Sequence, residues 1–259
     1  MSINKFFGFL RKRPFTNGLV LGGGGTRGFA HLGVVQALHE KGISIDAISG
    51  VSAGAIVGAF IASGMSPKEV MELLVAHKLM DFTTIQYPKK GLLSLSKLGK
   101  IMQEHLGDRT FEDLNIPLWV ALSNLNTGKV EYHNSGSLVD KVVASASIPI
   151  LFSPVDIDGH TYVDGGLFDN LPVKPIREQS KRVIGVNISP VDEIREFNNI
   201  LDIAARTFQL NDKSNTRKNS KLCSVYIEPR DLCKHGLLDT SNSQELYEIG
   251  YRYTMGMDF

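Results

Sequence analysis

The chain has 259 residues, 42% of them hydrophobic and 21% charged, with a formal net charge of +1. That is the make-up of a globular protein with a core of ordinary size, and so balanced a charge excludes the basic surplus of a general nucleic-acid binder. Cys223 and Cys233 make no disulfide framework and suit a reducing, cytoplasmic setting; with His235 they also lack the paired-ligand spacing of a zinc site.

The first element is an arm, residues 1–15. Ile3, Phe6, Phe7 and Leu10 recur at helical spacing, followed by Arg11, Lys12 and Arg13, and Pro14 stops any helix. The basic residues mostly follow the apolar ones, the reverse of a secretory signal. Residues 1–13 therefore read as a peripheral contact with the inner membrane face, or as an arm folded back on the domain. The longest apolar run, residues 53–62, falls short of the ~20 residues a bilayer span needs. Residues 16–259 show no linker and no repeat, which predicts one domain.

Within it, residues 18–21 read as a buried strand running into four glycines, Gly22 to Gly25. Residues 30–41 follow a helical period and Gly42 ends that helix. Residues 46–49 form a second strand that leads into Gly50-Val51-Ser52-Ala53-Gly54, followed by a small-residue helix over 53–63. Ser66 and Pro67 are the N-cap and first position of a helix reaching His77. Residues 81–99 are irregular and read as a mobile cover over a site. Strands follow at 118–122 and 129–133, and Asp158-Gly159 is a type I′ turn joining 155–157 to 161–163. Strands at 181–188 and 222–227 and helices at 198–210 and 244–253 complete the pattern. The alternation predicts a three-layer α/β/α fold with a mostly parallel central sheet, its site at the carboxyl ends of the strands.

Both glycine-rich turns belong there. G-x-S-x-G between strand and helix is a nucleophile elbow: small flanking residues allow the sharp turn that projects Ser52. Gly23 to Gly28 also satisfies G-x-G-x-x-G, but a dinucleotide site wants an acidic residue after the second strand, and Asp46 precedes it. A Walker loop is excluded because Gly-Lys-Ser/Thr is absent. The remaining use of the loop is to aim amides at an oxyanion, together with the N–H of Ala53. The expected histidine is harder to place. His77 and His105 sit on exposed helical periods, His133 ends a strand, His160 is at a turn, and only His235 is placed like a triad member. Asp164, at a strand end before Gly165 and Gly166, is the other candidate base.

The Gly23–Gly28 loop, the Gly50–Gly54 elbow, the block Ala144-Ser145-Ala146-Ser147-Ile148-Pro149 and Asp164-Gly165-Gly166 resemble, in order, the four motif blocks of patatin-like phospholipases. The tail around Tyr226-Ile227-Glu228-Pro229 and Glu248-Ile249-Gly250-Tyr251 is also similar to bacterial members. The resemblance implies a hydrolase of acyl-lipid esters in which Ser52 is the nucleophile and Asp164 the base of a dyad needing no histidine, metal or cofactor. It gives Gly23, Gly24 and Gly25 the oxyanion amides and makes residues 144–149 a wall of the site. Arg27 takes the family's basic position, holding the loop or attracting an anionic headgroup, while Gly28, Gly50, Gly54, Gly165 and Gly166 complete the motifs. Asp169 departs from the pattern, which has a neutral amide there, and would add negative charge near the base. The alternative is a binding or regulatory protein built on the same scaffold.

Overall fold

The glycine loop and the serine turn leave adjacent strands of one sheet. A computed structural model describes residues 13–77, 84–85, 93–193, 197, 200–211, 213–239 and 241–259. Strand β1 (Phe15–Leu21) pairs in parallel with β2 (Ala47–Gly50) on one side. On the other it pairs in parallel with β9 (Ser180–Val186), which is followed outward by β10 (Val225–Ile227). Beyond β2 lies β5 (Leu118–Asn124), again parallel, and then β8 (His160–Asp164) and β7 (Val155–Ile157). β6 (Lys129–His133) also pairs with β5. Every pairing made by β6, β7 and β8 is antiparallel, so the mostly parallel sheet ends in an antiparallel edge. Because β1 has β2 on one side and β9 on the other, its carboxyl end is a topological switch point.

Alternation along β1 divides the core. Leu19 and Leu21 belong to the large apolar cluster, with Leu32, Val35, Ile48, Phe60 and Leu122. Val20 faces the other way, into a small cluster with Ala47, Leu171, Val173, Ile176 and Val183. Both faces of the sheet are therefore covered, which is the three-layer arrangement, but unequally. The large cluster is closed by the helices Phe29–Glu40, Ala53–Ala62, Pro67–Ala76, Ser96–Leu106, Leu138–Ser145 and Ser243–Met255. The small one has the short Lys174–Arg177 helix.

Local signals hold where they were strong. Ser66 and Glu69 form a reciprocal capping box, with Ser66 N–H donating to Glu69 Oε2 at 2.7 Å and Pro67 opening the helix. Asp158 and Gly159 both take positive φ, 50° and 78°, as a type I′ turn requires. Other expectations need correction. The sheet starts at Phe15, the last residue assigned to the arm, and residues 1–12 lie outside the described residues. The cover expected at 81–99 lies largely outside them too. Its described part is ordered differently: β3 (Thr84–Ile85) pairs with β4 (Leu93–Ser94), and a helix runs from Ser96 to Leu106. That helix buries Leu98, Ile101, Met102 and Leu106 and includes His105, so only its first residues overlap the segment read as irregular.

Candidate active site

Ser52 sits between the end of β2 and the Ala53–Ala62 helix with φ 53° and ψ −125°. A serine in that region is strained by about 1–3 kcal/mol, a conformation that persists only where neighbours hold it. The neighbours are identifiable. Ser145 Oγ accepts from Ser52 N–H at 3.0 Å and donates to Ala121 O at 2.7 Å, tying the elbow to β5. Gly54 lies against the Leu21 and Gly22 carbonyls, where a Cβ would collide with β1. Gly28 packs on Ala53, and Gly50 on Gly54. Ser145, seen in the sequence as part of a wall, is thus the clamp of the turn. Ser145→Ala deletes the acceptor and leaves two buried backbone groups unmatched, which costs roughly 1–3 kcal/mol. It is expected to lower the melting temperature and reduce kcat about tenfold; wild-type kcat would mean that the elbow holds itself.

Asp164 arrives from the opposite direction. It is the last residue of β8, which runs antiparallel to β5 and sets Asp164 opposite Leu122. Gly50 is opposite Val120, two residues lower on the same strand, so the carboxylate stands level with the elbow rather than below it. Its backbone N–H donates to Ser147 O at 2.9 Å, and Gly166 N–H donates to Oδ1 at 2.8 Å. Gly165 packs against Val51 and Ala121. The Asp164 side chain is fully buried, and that burial pushes its pKa up to about 7, against the lowering effect of the Ser52 hydroxyl and Gly166 N–H. Ser52 is therefore within interaction range. The alignment stops short of a full hydrogen bond, since Oδ2 has no partner in hydrogen-bonding geometry, and such contacts commonly tighten only with substrate bound.

The glycine loop closes the third side. Among the described residues, the amides of Gly24, Gly25 and Ala53 have no acceptor, whereas Gly23 N–H donates to Asn170 O at 3.3 Å. Gly23 therefore leaves the set of free amides expected from the sequence. Gly25 has φ 58° and its Cα faces the Leu237 carbonyl, a place for glycine alone. Arg27 is buried, and its guanidinium donates from Nε and Nη2 to His235 O at 3.0 and 2.7 Å. Burial lowers its pKa to about 10, which leaves it charged at neutral pH. Of the two roles open to Arg27, the structure favours holding the loop. Thr26 N–H also bonds Leu237 O at 2.9 Å, so the segment 235–238 straps the loop from the far end of the chain.

Two further supports escaped the sequence reading. His31 is fully buried with Nε2 2.7 Å from Gly22 O, and burial lowers its pKa to about 4, which keeps it neutral and donating to the strand–loop corner. Asn170 holds Gly23 through its backbone oxygen and through Nδ2, 3.3 Å from Gly23 O. Asp169, beside it, is turned inward. Its carboxylate accepts from Tyr132 Oη at 2.6 Å and Asn219 Nδ2 at 2.9 Å. Asp169 thus joins β6 to the Lys213–Ser220 helix. Among the histidines, His133 pairs with Glu131, and His235 lies 3.7 Å from Glu245. His77, expected on an exposed face, instead lines the cavity beside Ser52.

That cavity opens from Ser52 and Ala53 and is walled by Phe29, Ile56, Leu74, Leu98, Ile148 and Phe152. A smaller recess on the other side of Ser52 is lined by Gly24, Gly25, Asn170, Ser189, Phe208 and Gln209. Ser52 thus lines both an apolar chamber and a smaller recess in which Asn170, Ser189 and Gln209 mix with Ile148, Phe208 and Leu237.

The family model for patatin-like phospholipases matches residues 19–176, more than half of the chain and all four motif blocks. The chain belongs to the patatin-like phospholipase family. The chain is 29% identical to lysophospholipase nte1 of Emericella nidulans over 91% of its length, and 27% identical to human patatin-like phospholipase domain-containing protein 6 over 92%. It spans only 18% and 20% of those two proteins. In fold it is similar to VipD from Legionella pneumophila, with a TM-score of 0.53 at 19% identity, covering 93% of this chain and 66% of that one. The strap at 235–238 that secures the glycine loop lies outside the matched region. Among the described residues, no helix is long and apolar enough to cross a membrane.

Proposed function

We propose that the chain is a serine hydrolase of acyl lipids, cleaving the carboxylic ester of a phospholipid or related lipid through an acyl-enzyme. The observation that carries the reading is a strained, buried serine beside a carboxylate of raised pKa at the mouth of an apolar cavity. The acyl chain lies in the apolar chamber, which places its ester carbonyl over Ser52. Ser52 Oγ attacks that carbon while its proton passes to Asp164, the base of a two-residue engine. The carbonyl oxygen becomes an oxyanion facing the free amides of Gly24, Gly25 and Ala53. Donors of this kind are worth roughly 3–4 kcal/mol each in a dry site, and the positive end of the Ala53–Ala62 helix adds to them. Asp164 returns its proton to the departing alcohol. Water then attacks the acyl-enzyme with Asp164 again the base, releasing the fatty acid.

Asp164 can accept a proton only when ionised. With its pKa near 7, kcat/KM on a soluble nitrophenyl ester should fall about tenfold per unit of pH below that value and level off above it. His235→Ala should leave this limb in place and activity within about threefold of wild type. A profile flat into the acid range, or loss of activity in the His235 variant, would remove Asp164 from the role.

A further inference from the structure

Several exposed apolar side chains belong to segments that also line the Ser52 cavity or the recess beside it. Ile150 follows the wall residue Ile148, is 68% exposed, and has φ 73°. For a β-branched residue that is a true outlier, held at the surface with nothing gained by burial. Val75 adjoins the wall residue Leu74 and is half exposed. The Ile200–Asn211 helix, whose Phe208 and Gln209 line the smaller recess, turns Ile200 (77% exposed), Ile203 (51%) and Leu210 outward. With Thr207, these sit at i, i+3, i+7 and i+10, one face of the helix. The chain then continues into the Lys213–Ser220 helix, where Lys213, Arg217 and Lys218 are exposed, with Lys221 just beyond. From Ile200 to Leu222 the sequence holds five basic residues and two acids, Asp202 and Asp212.

We propose that these side chains form a rim, centred on the outward face of the Ile200–Asn211 helix, that docks the protein on an anionic lipid surface. The proposal rests on the acyl-lipid reading of Ser52 and extends it to how substrate is reached. Apolar side chains enter the interface, the basic helix meets the anionic headgroups, and both chambers open toward the source of lipid. A polar rim would instead require each lipid to cross water before entering. The surface includes no residue of the amino-terminal arm in sequence, so the two can be varied independently.

The experiment is co-sedimentation with phosphatidylcholine vesicles, with and without phosphatidylglycerol, in a Ser52→Ala background so that lipid is not consumed. Binding is expected only with phosphatidylglycerol. Adding Ile200→Asp and Ile203→Asp should weaken it by tenfold or more, since each side chain otherwise inserts into the interface. Lys213→Gln with Lys218→Gln should weaken it about tenfold or more, in the anionic vesicles alone. Removing residues 1–13 should leave the rim-dependent part intact. With Ser52 present, the Ile200→Asp/Ile203→Asp protein should turn over a soluble ester at the wild-type rate. That readout separates the docking idea from the hydrolase reading, whose own failure would be an intact protein with no turnover. Unchanged vesicle binding by the rim variants overturns the proposal. So does light scattering that finds a dimer broken by the same substitutions, because the face would then belong to a second copy of the chain.

Discussion

Asp164→Asn is expected to lower kcat on a soluble nitrophenyl ester by about 10³-fold, as loss of a general base does, while making the protein more stable above neutral pH. The two effects share one cause. Asn keeps the shape and can still accept from Gly166 N–H, but its amide cannot take a proton from Ser52. It also never ionises. In the wild type the Asp164 pKa rises from 3.8 unfolded to about 7 folded, because burial penalises the charge. Between those values the folded state keeps a proton that the unfolded state releases. Wild-type stability therefore declines as pH rises from about 4 to about 7, then stays low, by roughly 4 kcal/mol at most. The variant escapes that decline. Its melting temperature should exceed the wild type's at pH ~8, by roughly 2–4 °C for each kcal/mol recovered. The advantage should vanish near pH ~4, where both side chains are neutral. A variant with most of its activity would point to another base, His77 on the cavity wall being the first to test. A variant that melts lower at pH ~8 would mean that the carboxylate is better solvated than its burial implies.

What the sequence revealed follows how local each signal is. The elbow, the glycine loop, the capping box and the type I′ turn are each encoded within a few neighbouring residues, and each lies where its pattern says. Asp164 was legible as a residue but not as a placement. The short strand before it gives no sign that β8 runs against β5, and only that reversal brings the carboxylate level with Ser52. The Ser145 clamp and the 235–238 strap join residues 93 to 211 positions apart, and no spacing rule reaches so far. The Gly23 amide shows a related effect. A glycine loop advertises amides, but which of them are already bonded depends on Asn170, nearly 150 residues on. The Ser96–Leu106 helix is a different kind of miss. His105 marks its later turns as helical in the sequence, but its first residues, Ser96 to Gly99, carry the Ser/Leu/Gly repetition of the irregular segment before it.

Ser52→Ala is expected to abolish labelling by a fluorophosphonate probe and to lower kcat by roughly 10⁵–10⁶-fold, the scale on which deleting a serine nucleophile acts. The companion variant Ser52→Gly separates chemistry from strain. Both lack the hydroxyl, so both should be equally inactive. Alanine at φ 53° and ψ −125° keeps the backbone conflict, whereas glycine relieves it. Ser52→Gly should therefore be more stable than Ser52→Ala by about 1 kcal/mol, reversing the ordinary penalty for glycine next to a helix. Activity persisting in both variants would sink the acyl-enzyme and leave a binding protein on this scaffold. Equal inactivity with no stability difference would keep the nucleophile but show that the turn is not strained. Equal inactivity with glycine the more stable would tie the two findings together: the energy stored in the elbow is what holds the Ser52 hydroxyl up to the substrate and within range of Asp164.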